Sequence, residues 1–136
     1  MIEFNYESEF KLKDESVYAD WISSCIENYD FKLGELNYIF CDDAYLFKLN
    51  VEFLDHDTLT DIISFDYTMG KLVSGDVFIS VERVKDNAKD LNLAFDDELK
   101  RVMIHGVLHY MGYKDKSDSE KLIMRSEENN CISLFK

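Results

Sequence analysis

Residues 104–116 read IHGVLHYMGYKDK, and this stretch decides how the rest of the chain is arranged. His105 and His109 stand four residues apart inside an apolar run, so on a helix their imidazoles lie on one face and can converge on one ion. Gly112 is placed to take the left-handed conformation that ends a helix. The chain then turns back and Asp115 approaches from beside the helix, giving the pattern HxxxHxxGxxD. A histidine pair alone on a buried helix is often mere packing; Gly112 and Asp115 at this spacing turn it into a metal reading. Three protein ligands with one position left for water or substrate is how a catalytic zinc site is built, and two nitrogens with one carboxylate suit zinc better than magnesium or calcium. The expected cofactor is one Zn2+ per chain on His105, His109 and Asp115, with Asp118 as the alternative third ligand.

The flanks say what kind of helix carries the pair. Leu99, Val102, Met103, Gly106, Val107, Tyr110 and Met111 form one broad apolar side, and Ile104 and Leu108 cover much of the opposite one. Such a helix is central and packs on more than one neighbour. The histidines take the remaining sector in line with Glu98, which is either a solvent-facing neighbour or an orienting group. Asp96, Asp97 and Glu98 oppose the positive end of the helix dipole at the start. After Asp115, Ser117 and Asp118 cap a last helix with Leu122, Ile123 and Met124.

Upstream, Ile2, Phe4 and Tyr6 alternate as a first strand, and Asp14 and Ser16 open a helix bearing Val17, Trp21, Cys25 and Ile26. Gly34 ends a connection before a second strand, Leu36–Tyr38–Phe40. Asp42 and Asp43 open a helix with Tyr45, Leu46, Leu49 and Phe53 on one side. The segment from Asp61 to Tyr67, with its IISF core, predicts a short central strand. A turn around Gly70 leads to a strand over about 72–81 that Gly75 interrupts as a bulge or a close approach. Residues 82–90 are expected to be helical. Strands early and helices late favour an α+β fold, a small mixed sheet packed with helices around the histidine-bearing one. With no proline, repeat or low-complexity tract, residues 1–136 are expected to form one metal-dependent hydrolase domain.

Apolar residues make up 46% and aromatics 14% of the 136 residues, which excludes a disordered chain. A net charge of −13 excludes a general nucleic-acid coat protein, although Lys100, Arg101, Lys114, Lys116, Lys121 and Arg125 gather around the histidine segment. Cys25, Cys41 and Cys131 are odd in number and widely spaced, as free thiols of a reducing cytosol are. The start MIEFNYESEF carries no secretory signal and no apolar run approaches the roughly 20 residues of a membrane span, so the expected location is cytoplasmic, without membrane contact.

Three motifs resemble the YbeY family of bacterial metal-dependent endoribonucleases. The helix HGxLHLxGYDH is matched by His105, Gly106, Leu108, His109, Gly112 and Tyr113; a TDVLSF segment by Thr60, Asp61, Ile62, Ile63, Ser64 and Phe65; and a GDIxIS segment by Gly75, Asp76, Val77, Phe78, Ile79 and Ser80. The resemblance implies a zinc-dependent nuclease acting on single-stranded RNA in small-subunit ribosomal RNA 3′-end maturation and ribosome quality control, with ribosomal RNA precursor and the ribosome or its proteins as partners. It also implies that the TDxxSF and GDxxIS segments wall the active-site cleft, against local turn roles for Ser64 and Asp76. The chain departs from the family at two places. Asp115 stands where the third histidine is usual, and Leu54 where an arginine is common, with His56 the nearest positive group. Two other readings compete: a peptidase-like zinc hydrolase, opposed by Gly106 at the position of the HExxH glutamate, and a non-catalytic ribosome-associated factor with a structural metal.

Overall fold

Leu36, Tyr38 and Phe40 send alternate side chains to one face of a strand, and the molecule is assembled on that face. In the computed structural model, which describes residues 1–54 and 60–135, this strand is β2 (Lys32–Cys41). It runs parallel to both of its neighbours, β1 (Ile2–Tyr6) and β4 (Leu72–Ser80). β3 (Ile62–Asp66) pairs antiparallel with β4, giving a mixed sheet in the order β1-β2-β4-β3. The helices among the described residues are α1 (Glu15–Asn28), α2 (Asp43–Leu54), α3 (Val81–Asp90), α4 (Phe95–Tyr110) and α5 (Asp118–Ser133).

The fold is α+β, with the histidine-bearing α4 at its centre. One sheet face, through Leu36, Tyr38, Phe40, Val77 and Ile79, packs with Ile22 and Ile26 of α1 and Met103, Ile104 and Leu108 of α4. Full burial of each such side chain stabilises by about 1.5–3 kcal/mol. The smaller cluster of Cys41, Leu46 and Ile63, with Phe65 and Phe78 against it, lies under α2. Two tyrosines fix α4 on the sheet: Tyr38 donates to the Met103 carbonyl at 2.8 Å, and Tyr110 donates to the carbonyls of Asp76 at 2.9 Å and Phe65 at 3.1 Å. Trp21 Nε1 donates to the Cys131 carbonyl at 2.7 Å and so ties α1 to α5.

Several expectations are corrected. The IISF strand is at the edge of the sheet, and it is apolar on both sides because α2 and α4 cover its two faces. β4 runs unbroken through Gly75; the irregularity lies in β2, where Gly34 and Glu35 stand opposite Ser74, so Gly34 is inside a strand. Gly75 marks the close approach instead, since a Cβ there would lie 2.7 Å from the Tyr110 ring and 2.5 Å from the Phe65 carbonyl. Asp14 precedes α1 in a left-handed conformation without a side-chain cap, and Ser16 falls inside the helix. Asp42 caps α2 by accepting from the Tyr45 amide at 2.8 Å, whereas Phe53 is largely exposed. On α5, Leu122 and Ile123 face outward and only Met124 of the expected trio is buried.

Candidate metal centre

Because α4 is buried around most of its circumference, His105 and His109 occupy the partly exposed sector that remains, and His105 lines a cleft. The helix stops as its sequence predicts. Gly112 takes φ 101°, its amide donates to the His109 carbonyl, and the Tyr113 amide closes on the Leu108 carbonyl, both at 3.0 Å. This reversal presents the Tyr113 carbonyl to His109 Nδ1 at 2.9 Å and returns Asp115 to the rings. The Nε2 atoms of His105 and His109 lie 3.0 Å apart, and Asp115 Oδ2 is 3.1 Å from the first and 3.2 Å from the second.

Behind His105, Nδ1 meets Glu128 Oε2 at 2.7 Å. A carbonyl and a carboxylate only accept, so Nδ1 of each ring carries a proton and the Nε2 lone pairs are left for the shared point. This is the backing that metal-bound histidines usually have. Burial alone would lower the His105 pKa, but the hydrogen bond and charge of Glu128, with Asp115 and Asp61, outweigh it and raise it above its ordinary 6.5. For Glu128, 4% exposed, burial pushes upward, while His105 and Arg101 outweigh it and hold the carboxyl below its ordinary 4.5.

The donor set fits zinc. Three donors on one face of a tetrahedron with bonds of about 2.0–2.1 Å stand roughly 3.3–3.4 Å apart, close to the 3.0–3.2 Å found for His105, His109 and Asp115. Arg101 completes the support: Nη1 lies 3.0 Å from Glu128 Oε1 and 3.2 Å from Asn129 Oδ1, and Nε lies 3.7 Å from Glu98 Oε1. His105 and Asp115 line a cavity of about 290 Å³ walled also by Asp61, Ile62, Glu98, Arg101 and Arg125, and a neighbouring cavity shares His105, Asp115, Arg125 and Glu128.

Of the residues singled out in the sequence, His105, His109 and Asp115 meet at one point, and Asp118 stays outside the group at the exposed start of α5. Glu98 is neither solvent-facing nor an orienting group for histidine; it is 5% exposed and paired with Arg101, and burial raises its pKa. Asp61 and Ile62 do wall the cleft, and burial likewise raises the Asp61 pKa. The GDxxIS segment does not line either cavity at the triad. Asp76 accepts from Asn37 at 2.9 Å, Ser64 lies beside Tyr110, and Ser80 caps α3 while donating to Asp43. The Leu54 side chain and His56 lie outside the described residues.

Glu128 escaped the sequence reading. Its signal was there, however: with Met124 and Cys131 it forms the buried stripe of α5 at helical spacing, a carboxylate standing on an otherwise apolar line. Gly106, at the position of the HExxH glutamate, faces the sheet, where a Cβ would lie 3.3 Å from both Ile62 and Val77. The position therefore brings no carboxylate to the site.

The chain is similar to known proteins along its whole length. The family model described as endoribonuclease YbeY matches residues 2–136. A protein named endoribonuclease YbeY from Flavobacterium johnsoniae is 62% identical over 99% of this chain and 97% of its own length. Its namesake from Flavobacterium psychrophilum is 56% identical over 99% and 96%, and that from Karelsulcia muelleri 44% over 100% and 96%. A solution structure from Thermotoga maritima superposes with a TM-score of 0.68 at 23% identity, covering 99% of this chain and 89% of that one, which shows the shared fold.

Proposed function

Because the chain belongs to the YbeY endoribonuclease family, we propose that it is a zinc-dependent endoribonuclease cleaving single-stranded RNA, with His105, His109 and Asp115 as metal ligands. The substrate is ribosomal RNA precursor at the small-subunit 3′ end, and the ribosome or its proteins are the setting. All 136 residues act as one catalytic domain in the cytoplasm. The buried free thiols of Cys25, Cys41 and Cys131 support a reducing location, and among the described residues no helix is long and apolar enough to cross a membrane.

The observation that carries this reading is the convergence of two Nε2 atoms and one carboxylate oxygen while both Nδ1 atoms are engaged behind them. A bound zinc ion supplies Lewis-acid polarisation of a phosphoryl oxygen and activation of water at neutral pH. The chain's residues do the rest. Glu128 and the Tyr113 carbonyl hold the Nδ1 protons, so the rings cannot rotate or change tautomer. Arg101 balances the charge of Glu128 and keeps that carboxylate ionised although it is buried. Asp61 and Ile62 close one side of the cleft and restrict solvent at the reacting strand. Unstacked single-stranded RNA has a backbone that bends into such a groove, and a regular duplex does not.

The peptidase reading loses its ground at Gly106, which packs on the sheet. The test is metal analysis of the purified chain together with cleavage of single-stranded and duplex RNA. One zinc per chain and preferential cutting of the single strand, both lost in His109→Ala, are expected. Unchanged cleavage in that variant would remove the metal mechanism.

A further inference from the structure

We infer that Arg125 is the residue that grips the RNA phosphate beside the metal centre, an assignment that rests on the endoribonuclease reading above. The whole chain carries −13 and the cleft itself holds Asp61, Glu98, Asp115 and Glu128, so a polyanion entering it needs a local cation. Among the described residues, the cations lining the two cavities at the triad are Arg101, Lys121 and Arg125. Arg101 is engaged: 18% exposed, it is held by Glu128, Glu98 and Asn129. Lys121 borders only one of the cavities.

Arg125 borders both, and its side chain is 57% exposed. Its Nε lies 3.6 Å from Glu128 Oε1, close enough for attraction and too far for a hydrogen bond, while that oxygen accepts from Arg101 at 3.0 Å. Glu128 Oε2 belongs to His105. One carboxylate therefore stands between a ligand imidazole and a guanidinium, steering Arg125 toward the cleft while leaving its two Nη groups without hydrogen bonds among the described residues. A planar guanidinium with a free Nη pair is the group best shaped to take two phosphate oxygens at once.

The test uses the full chain stripped of metal, binding a 5′-labelled single-stranded RNA across a salt series, followed by zinc content and cleavage after reloading. Arg125→Ala should weaken binding about ten- to a hundredfold and flatten the log–log salt slope by about one. Arg125→Lys should recover part of the loss, and Lys89→Ala on α3, away from both cavities, should bind as the wild type does. Zinc content should stay at the wild-type level, and KM should rise more than kcat falls. If wild type binds and cleaves RNA and Arg125→Ala matches it in affinity and slope, the Arg125 assignment alone is overturned. If Arg125→Ala loses zinc, its part is support of Glu128, which also overturns the assignment. Wild-type protein that neither binds nor cuts RNA would overturn both readings together.

Discussion

α4 and α5 are each 16 residues long and each contributes to the candidate metal centre, yet they do so by opposite means. α4 buries nine of its residues and presents two histidines through the gap that remains. α5 fully buries only Met124, Glu128 and Cys131, and most of its other residues face solvent. The difference separates two tasks: a ligand helix must be immobile, so it is packed all round, whereas a supporting helix needs only to deliver one carboxylate to the back of one ring.

The contrast can be broken most severely at α4. His109→Ala should abolish stoichiometric zinc and cleavage while leaving the far-ultraviolet circular dichroism intact, because the ring is partly exposed and not part of the core. At α5, Glu128→Ala should weaken zinc affinity about 10–100-fold in competition with a chelator. It should also destabilise the metal-free fold by about 1–3 kcal/mol, since Arg101 loses its shortest ion pair and keeps only Glu98 and Asn129. Glu128→Gln, which still accepts from His105, should lose less zinc affinity than the alanine variant. Equal zinc affinity in all three proteins would mean that α5 merely covers α4.

Gly75→Ala tests the packing of α4 without touching a ligand. Its Cβ meets backbone and a fixed ring, so denaturant unfolding should show a loss of about 1–3 kcal/mol. At the start of α5, Ser117 and Glu120 form a capping box with bonds of 3.1 and 2.9 Å, and Ser117→Ala should remove about 1 kcal/mol with zinc affinity little changed.

Acidity sharpens the comparison further. With His105 raised above 6.5 and Glu128 lowered below 4.5, their pairing stabilises the metal-free protein fully between those values. That stability is lost as pH falls through the depressed Glu128 value, and again as pH rises through the raised His105 value. Zinc needs the neutral ring, so metal loading should reverse the alkaline trend. Melting temperatures of chelated and zinc-loaded protein across this range are the measurement, and parallel curves would contradict it.

The contrast also explains what could be read in advance. The triad was legible because its three members lie within eleven consecutive residues, His105 to Asp115, where helix spacing and a glycine stop decide the geometry locally. Glu128 is a local residue too, but in the run EENN nothing marks which carboxylate turns inward; only the stripe through Met124 and Cys131 does. Leu122 and Ile123 are apolar and so are expected inside, yet both are exposed. For β3, the apolar run IISF predicts a central strand, but apolarity reports cover by helices and says nothing about pairing, and the strand is at the edge. Gly106 and Gly75 were visible as glycines, while the ring and the branched side chains that require them arrive from distant parts of the chain.

Trp21 is the sole tryptophan, and its indole holds the Cys131 carbonyl three residues beyond Glu128. The protein thus contains its own optical gauge: when the C-terminal helix lifts, the indole loses its acceptor, meets water, and its fluorescence shifts to the red. Loosening of the histidine's carboxylate backing can therefore be followed in real time, without a label, in the same cuvette as the reaction.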